Sequence, residues 1–176
     1  MGFPKALLRY RDETFLDTLV GLFASRCDPV IVVLGANAER IRERTLRPAT
    51  FVLNPDFSRG MTSSLECGLR AVPANADSIL LTLVDHPAVA PATLDALIAP
   101  PRPLLRVPRY GGRRGHPICF SRDLTAEFLA LGDAGVAREV VRAHAAETEF
   151  LDLDDAGVVA DIDDAEAYIR LTGAPL

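Results

Sequence analysis

Tryptophan is absent from this chain of 176 residues, and cysteine occurs only three times, at Cys27, Cys67 and Cys119. The three are odd in number, widely spaced and form no CxxC pair, which argues against a disulfide framework and fits a reducing compartment. They read as small buried packing residues. No apolar run approaches the roughly 20 residues of a membrane span, so no membrane partner is expected. The opening Met-Gly-Phe-Pro-Lys lacks the apolar core of a secretory leader, and a cytoplasmic location is expected. A basic excess is lacking as well: 24 acidic against 19 basic residues give a formal net charge of −5. Nucleic-acid binding, which draws on cations at phosphates, is disfavoured.

What is present is ordinary globular composition, 49% hydrophobic and 24% charged, in a length that suits one compact domain over residues 1–176. Short β-branched runs alternate with amphipathic stretches. Residues 29–34, 50–53 and 78–84 read as strands, the first of them buried on both faces. Helices are expected over 14–25, 38–44, 63–71 and 92–98, with Thr14 capping the first. Further on, strands over 104–108 and 118–121 flank the glycine-rich 110–115 as a hairpin or lid. Helices over 124–131 and 136–145, a strand over 148–153 and a helix over 165–171 complete the chain. Such alternation implies a mostly parallel sheet covered on both faces.

In a sheet of that kind, ligands bind beyond the carboxyl ends of the strands. Asp85 follows an apolar strand directly and is placed either to hold magnesium through oxygen or to cap the turn before Pro87. Asp161, Asp163 and Asp164 form a second acidic cluster, as metal ligands or as caps of the last helix. Gly60 to Ser64 put a glycine and three hydroxyls at a helix start, which suits anions or a base edge as well as plain capping. Lys5 can neutralise a phosphate as a point charge. Arg102, Arg106, Arg109, Arg113 and Arg114 cluster locally and can oppose the global sign for a small anion. His116, in a glycine-rich loop, is expected to be accessible, whereas His86 and His144 have no comparable context.

The order Met1-Gly-x-Pro-Lys-x-Leu-Leu8, Thr14-Phe-Leu16, Val32-Val-Leu-Gly35, Asn54-Pro55, Gly60-Met-x-Ser-Ser-Leu65, Asp85-x-Pro87, Arg114-Gly-His-Pro117 and Asp161-Ile-Asp163 resembles the MobA-like nucleotidyltransferases. Within them it is most similar to the molybdenum cofactor cytidylyltransferases, and the similarity runs nearly the whole chain. The resemblance implies a Rossmann-like three-layer α/β/α sandwich that transfers a nucleoside monophosphate from CTP or GTP to the phosphate of a molybdopterin-type acceptor. It implies Lys5 and Asp85 as catalytic residues and Mg2+ as cofactor, held by Asp85, Asp163 and Asp161. Lys5, Gly35, Asn54, Gly60, Ser63 and Ser64 are implied around the nucleotide. Arg114, Gly115, His116 and Pro117 are implied to face the acceptor. A molybdoenzyme or its chaperone is the implied protein partner.

Two departures from the family pattern carry expectations of their own. The family opens with a buried strand and a glycine-rich turn, Leu-Ala-Ala-Gly-x-Ser-x-Arg, immediately before Met-Gly-x-Pro-Lys. These 176 residues start at that methionine, so the first central strand and its phosphate-cradling loop are expected to be missing, leaving exposed edges and apolar surface. The alternative function is then a non-catalytic module that binds nucleotide or cofactor. The family's Asp-Ile-Asp-Thr-Pro-Glu-Asp also stands here as Asp161-Ile-Asp-Asp-Ala-Glu-Ala167, with altered neighbours around the second aspartate. Residues 132–138 resemble the family's Gly-Asp-x-Gly-Ala-Arg with one extra residue.

Overall fold

Proline, glycine and charged residues punctuate the apolar runs, and the secondary structure breaks where they fall. The computed structural model describes residues 3–132 and 135–175. Met1 and Gly2 of the opening motif, and Asp133 and Ala134 of the 132–138 stretch, lie outside the described residues. After a 3-10 turn at Lys5–Leu7, the elements in chain order are β1 (Arg9–Tyr10), β2 (Glu13–Thr14), α1 (Phe15–Ala24), β3 (Ile31–Leu34), α2 (Ala38–Arg44), β4 (Thr50–Leu53), α3 (Met61–Arg70) and β5 (Ser78–Leu81). There follow α4 (Pro91–Ile98), β6 (Leu105–Tyr110), β7 (Arg113–Arg114), β8 (Ile118–Ser121), α5 (Thr125–Leu129), α6 (Ala137–Ala143), β9 (Thr148–Asp152) and α7 (Ala165–Thr172). Thr14 caps α1 as expected, its hydroxyl accepting from the Asp17 N–H at 3.0 Å. The expected strand over 78–84 stops at Leu81, opposite Ile118 in β8. The residue before Ile118 is Pro117, which has no N–H with which to extend the ladder.

The expected mostly parallel sheet is corrected to a mixed one. β3 and β4 pair in parallel, as do β6 and β9. β5 pairs antiparallel with β8, and β6 antiparallel with both β8 and the short β7. The hairpin turning through Gly111 and Gly112, both at positive φ, sends the chain back alongside β6, so β8 cannot run parallel to it. Successive side chains of β5 alternate between faces: Ile79 and Leu81 pack with α3, α5 and α6, whereas Leu80 packs with α1 and α4. Helices therefore cover both faces, and the three-layer expectation holds.

The sheet is open in the middle. β3 is paired only with β4 and β5 only with β8, and among the described residues no ladder joins the two pairs. Between them lies a cleft of about 1180 Å³, walled by Leu19, Val20 and Phe23 of α1 on one side and by Leu65, Gly68 and Leu69 of α3 on the other. Two strand edges without a ladder partner among the described residues, and apolar side chains from both layers, line this cleft.

Candidate active site

The chain segment after β5 and the segment after β9 are sewn together along their length. The Asp155 carboxylate accepts from the Ala90 N–H at 2.9 Å, the Thr93 hydroxyl at 2.6 Å and the Gly157 N–H at 2.9 Å. Gly157 packs so closely that a Cβ there would meet the Ala88 carbonyl oxygen at 2.4 Å. The Ile162 N–H then donates to the Asp85 carbonyl at 3.0 Å. This seam brings Asp161 and Asp163 beside Asp85 across a long sequence separation. Asp155 carries it and was not singled out in the sequence, because an aspartate before Ala-Gly reads locally as a turn residue. Asp155→Ala would strand two N–H groups and a hydroxyl, with an expected loss of about 2–3 kcal/mol measured by urea unfolding. An unchanged unfolding midpoint would remove Asp155 from this role.

Lys5 sits between the two acidic segments. Its Nζ lies 2.5 Å from Asp163 Oδ1 and 3.8 Å from Asp85 Oδ2. The hydrogen bond and charge of Lys5 hold the Asp163 carboxyl below the ordinary carboxylate range. Asp161 adjoins Asp163, while Asp164 faces away and caps α7 by accepting from the Ala167 N–H at 2.7 Å. The other oxygen of Asp85, Oδ1, is buried and has no hydrogen-bond partner, so an anionic acceptor faces inward without a donor. That is a fitting acceptor for a hard cation. Among the described residues there is no group of three His, Cys, Asp or Glu side chains arranged to hold a metal by themselves. A two-carboxylate set suits magnesium, which normally takes few protein ligands and completes its shell with water and phosphate oxygens.

His86, which sequence reasoning left without a role, belongs to this site. It is buried, its Nε2 lies 3.7 Å from Asp85 Oδ1, and its ring stands 5.1 Å from that of His116. The expectation of an accessible His116 is corrected: the residue is half-buried and its Nδ1 is an orphaned buried atom. Its backbone N–H is strapped to the Val158 carbonyl at 2.8 Å, and a Cβ on Gly115 would meet that carbonyl oxygen at 2.0 Å. Only glycine fits there, and the loop is too tightly bound to expose the ring. Burial, and then the neighbouring His86, depress the His116 pKa below its usual 6.5. The unfolded chain thus binds the proton first, so stability falls as pH drops from 6.5 toward the folded value. Unfolding midpoints compared at pH 7.5 and 5.5 are expected to show this loss, and His116→Gln to lessen it.

The nucleotide-side candidates gather at the ends of β3 and β4 but are largely occupied. Asn54 is buried, and its Nδ2 donates to the Ser63 and Ser64 hydroxyls, each at 3.0 Å. Ser63 in turn donates to the Gly60 carbonyl at 2.8 Å, and Thr62 to the Gly135 carbonyl at 2.7 Å. Thr62 and Ser63 thus spend their hydroxyls on internal partners, as buried hydroxyls do, whereas the Ser64 hydroxyl only accepts from Asn54 and borders the cleft. What remains open is the α3 N-terminus, where Gly60 at φ 104 caps with no side chain and leaves first-turn N–H groups unengaged by any capping group. Gly35 closes β3 against Phe57, whose Cβ lies 2.6 Å from where a Gly35 Cβ would stand.

The arginine cluster separates in space. Arg106 is buried, bonded to Glu149 and to four backbone carbonyls. Arg109 pairs with Asp152 at 2.6 Å, and Arg102 lies 4.0 Å from Asp77. Arg114 is exposed, lies over the Phe150 ring at 4.7 Å, and with Gly115 and His116 borders the central cleft. Pro117 is fully buried behind them. The local cluster is therefore no single anion site.

No helix among the described residues is long and apolar enough to cross a membrane. Comparison with known proteins finds nicotine blue oxidoreductase of Paenarthrobacter nicotinovorans, 35% identical over 96% of this chain and 87% of that protein. The molybdenum cofactor cytidylyltransferase of Escherichia coli (strain K12) is 27% identical over 69% of this chain and 64% of its own length. Among solved structures, Rv0371c of Mycobacterium tuberculosis H37Rv in complex with manganese superposes with a TM-score of 0.81 at 32% identity, over 97% of this chain and 92% of that one. The family model that matches residues 1–148 is the MobA-like NTP transferase domain, and the chain belongs to that family.

Proposed function

We propose that this protein transfers CMP from CTP to the phosphate of a molybdopterin-type acceptor. An acceptor phosphate oxygen attacks the α-phosphorus, the bond to the bridging oxygen breaks, and pyrophosphate leaves. The observation that carries this is the Lys5 ammonium lying between carboxylates from remote parts of the chain, Asp85 and Asp163. Together they make a site that attracts cations beside a group able to hold a phosphate. Asp85 and Asp163, with Asp161 behind them, would hold Mg2+, which supplies charge neutralisation at the phosphates. Lys5 binds the triphosphate, and the open N–H groups at the α3 N-terminus favour its negative charge. Asn54, Ser63 and Ser64 hold the Gly60 loop in shape, and Gly35, with Phe57 packed against it, would border the nucleoside. Arg114, Gly115 and His116 would line the acceptor side, with the buried Pro117 and His86 packed behind them. Positioning and charge do the work, and no covalent intermediate is needed.

The test is pyrophosphate release from CTP and from GTP, with Mg2+ or Mn2+ and molybdopterin, using the full chain. Release favouring CTP is expected, and release favouring GTP would reassign the donor. The 35% identity to nicotine blue oxidoreductase supports a second reading, an oxidoreductase on the same scaffold. Reduction of nicotine blue by a nicotinamide donor, with no pyrophosphate from either nucleotide, would select that reading.

A further inference from the structure

Five buried polar side-chain atoms have no hydrogen-bond partner among the described residues, and three of them fall in one place. They are Asp85 Oδ1, His86 Nδ1 and His116 Nδ1, with the two imidazole rings 5.1 Å apart. Buried polar groups are normally paired, so such a concentration marks a place built to hold something polar. His86 is the member that the proposed transfer leaves without a task. Its side chain is only 7% exposed, and its Nε2 comes no nearer to Asp85 Oδ1 than 3.7 Å. Adjacent residues of an extended strand point to opposite faces, so Asp85 and His86 could not share a site on one. Here the chain turns: the His86 N–H donates to the Leu83 carbonyl at 3.4 Å, and the Ile162 N–H holds the Asp85 carbonyl at 3.0 Å. The turn brings the imidazole to the inner oxygen of the carboxylate. Their separation of 3.7 Å is too long for a hydrogen bond. It suits two donors on one ion, because ligands each about 2.0–2.2 Å from a divalent metal stand roughly 3–4 Å apart.

We propose that His86 is a metal ligand: its Nε2 and Asp85 Oδ1 together hold the divalent ion, which gives the site one nitrogen donor among oxygens. The proposal deepens the reading of Asp85 as a metal-binding carboxylate and rests on it. Imidazole suits first-row transition ions, whereas magnesium favours a shell of oxygens. His86 therefore sets the choice of metal, and the site selects a transition ion over Mg2+. The carboxylate supplies the charge and the imidazole supplies the discrimination.

The experiment adds Mn2+, a paramagnetic probe, to the full chain carrying isotopically labelled histidine nitrogen. Inorganic pyrophosphate is included, because it supplies phosphate oxygens and contains no nitrogen of its own. Pulsed electron paramagnetic resonance is expected to show a labelled histidine nitrogen bound directly to Mn2+. The coupling should persist in His116→Gln and vanish in His86→Gln, which puts a carbonyl oxygen in place of the nitrogen donor. Calorimetric competition is expected to show Mn2+ favoured over Mg2+, with the preference falling about 10-fold or more in His86→Gln. Bound Mn2+ without a histidine coupling overturns the proposal and leaves the carboxylate site standing. A coupling lost only in His116→Gln, an unchanged preference in His86→Gln, or no binding of Mn2+ overturns it as well. The wild-type spectrum needs no variant, so a His86→Gln chain that fails to fold leaves the test in place. Failure of the transferase reading is separate: no pyrophosphate release from CTP or GTP, with the coupling intact, would redirect the substrate and keep His86 as a ligand.

Discussion

Asp85→Asn is expected to lower metal-dependent turnover by about 10²–10³-fold while the fold survives. The substitution keeps the shape of the side chain and one carbonyl oxygen but removes the charge. In the wild type, one carboxylate oxygen faces Lys5 and the other is buried without a donor, near His86. A buried ionised oxygen left unpaired is costly, so the amide is expected to leave the thermal midpoint unchanged or slightly raised. Loss of activity with no loss of stability is the signature of a group kept for chemistry. Asp152→Asn serves as the comparison, because that carboxylate pairs at the surface with Arg109 and is expected to cost little in either measure. The metal dependence supplies the second readout: the concentration of Mg2+ or Mn2+ for half-maximal turnover should rise in Asp85→Asn. Full turnover in that variant would remove Asp85 from the mechanism.

The parts of this molecule that were legible in sequence are those fixed by local pattern. The run ending at Leu34 and the helix over 38–44 each have a periodicity and a stop signal a few residues away, and both formed where expected. Thr14 caps α1 through a bond three residues long, which is why sequence spacing sufficed. The placement of β8 between β5 and β6 is different, since it depends on which non-neighbouring edges meet. The same holds for hydroxyls: Thr62 and Ser63 look alike beside a glycine in sequence, but both are turned inward by partners that packing alone determines. His86 and Asp155 escaped notice because their significance lies in contacts with residues 30 and 65 positions away. Convergence of Asp85 with Asp163 was inferred from a family likeness. The seam of hydrogen bonds from Asp155 to Ile162 gives it a physical cause.

Arg106 was grouped with its neighbours as part of a basic cluster, and the structure gives it another task that leads to the largest expected loss of stability. Its guanidinium donates to the carbonyls of Ala96, Leu97 and Ala99 at 3.0, 2.9 and 2.8 Å, and to that of Pro101 at 2.8 Å. The first three lie in or just past the last turn of α4, where carbonyls lack intrahelical partners and a positive charge is favoured. Its Nε donates to Glu149 on β9, so one side chain ties α4 to two neighbouring strands. Arg106→Leu keeps the volume but strands four carbonyls and a carboxylate, with an expected loss of about 3–5 kcal/mol and a fall in thermal midpoint of about 10 °C or more. Glu149→Gln is expected to cost below about 1 kcal/mol, because that carboxylate is nearly half exposed and the four carbonyl bonds remain. Arg106→Lys should fall between them, since an ammonium retains the charge but cannot span a fan of acceptors in one plane. A leucine variant melting within about 2 °C of wild type would show that water or backbone adjustment satisfies these carbonyls without the guanidinium.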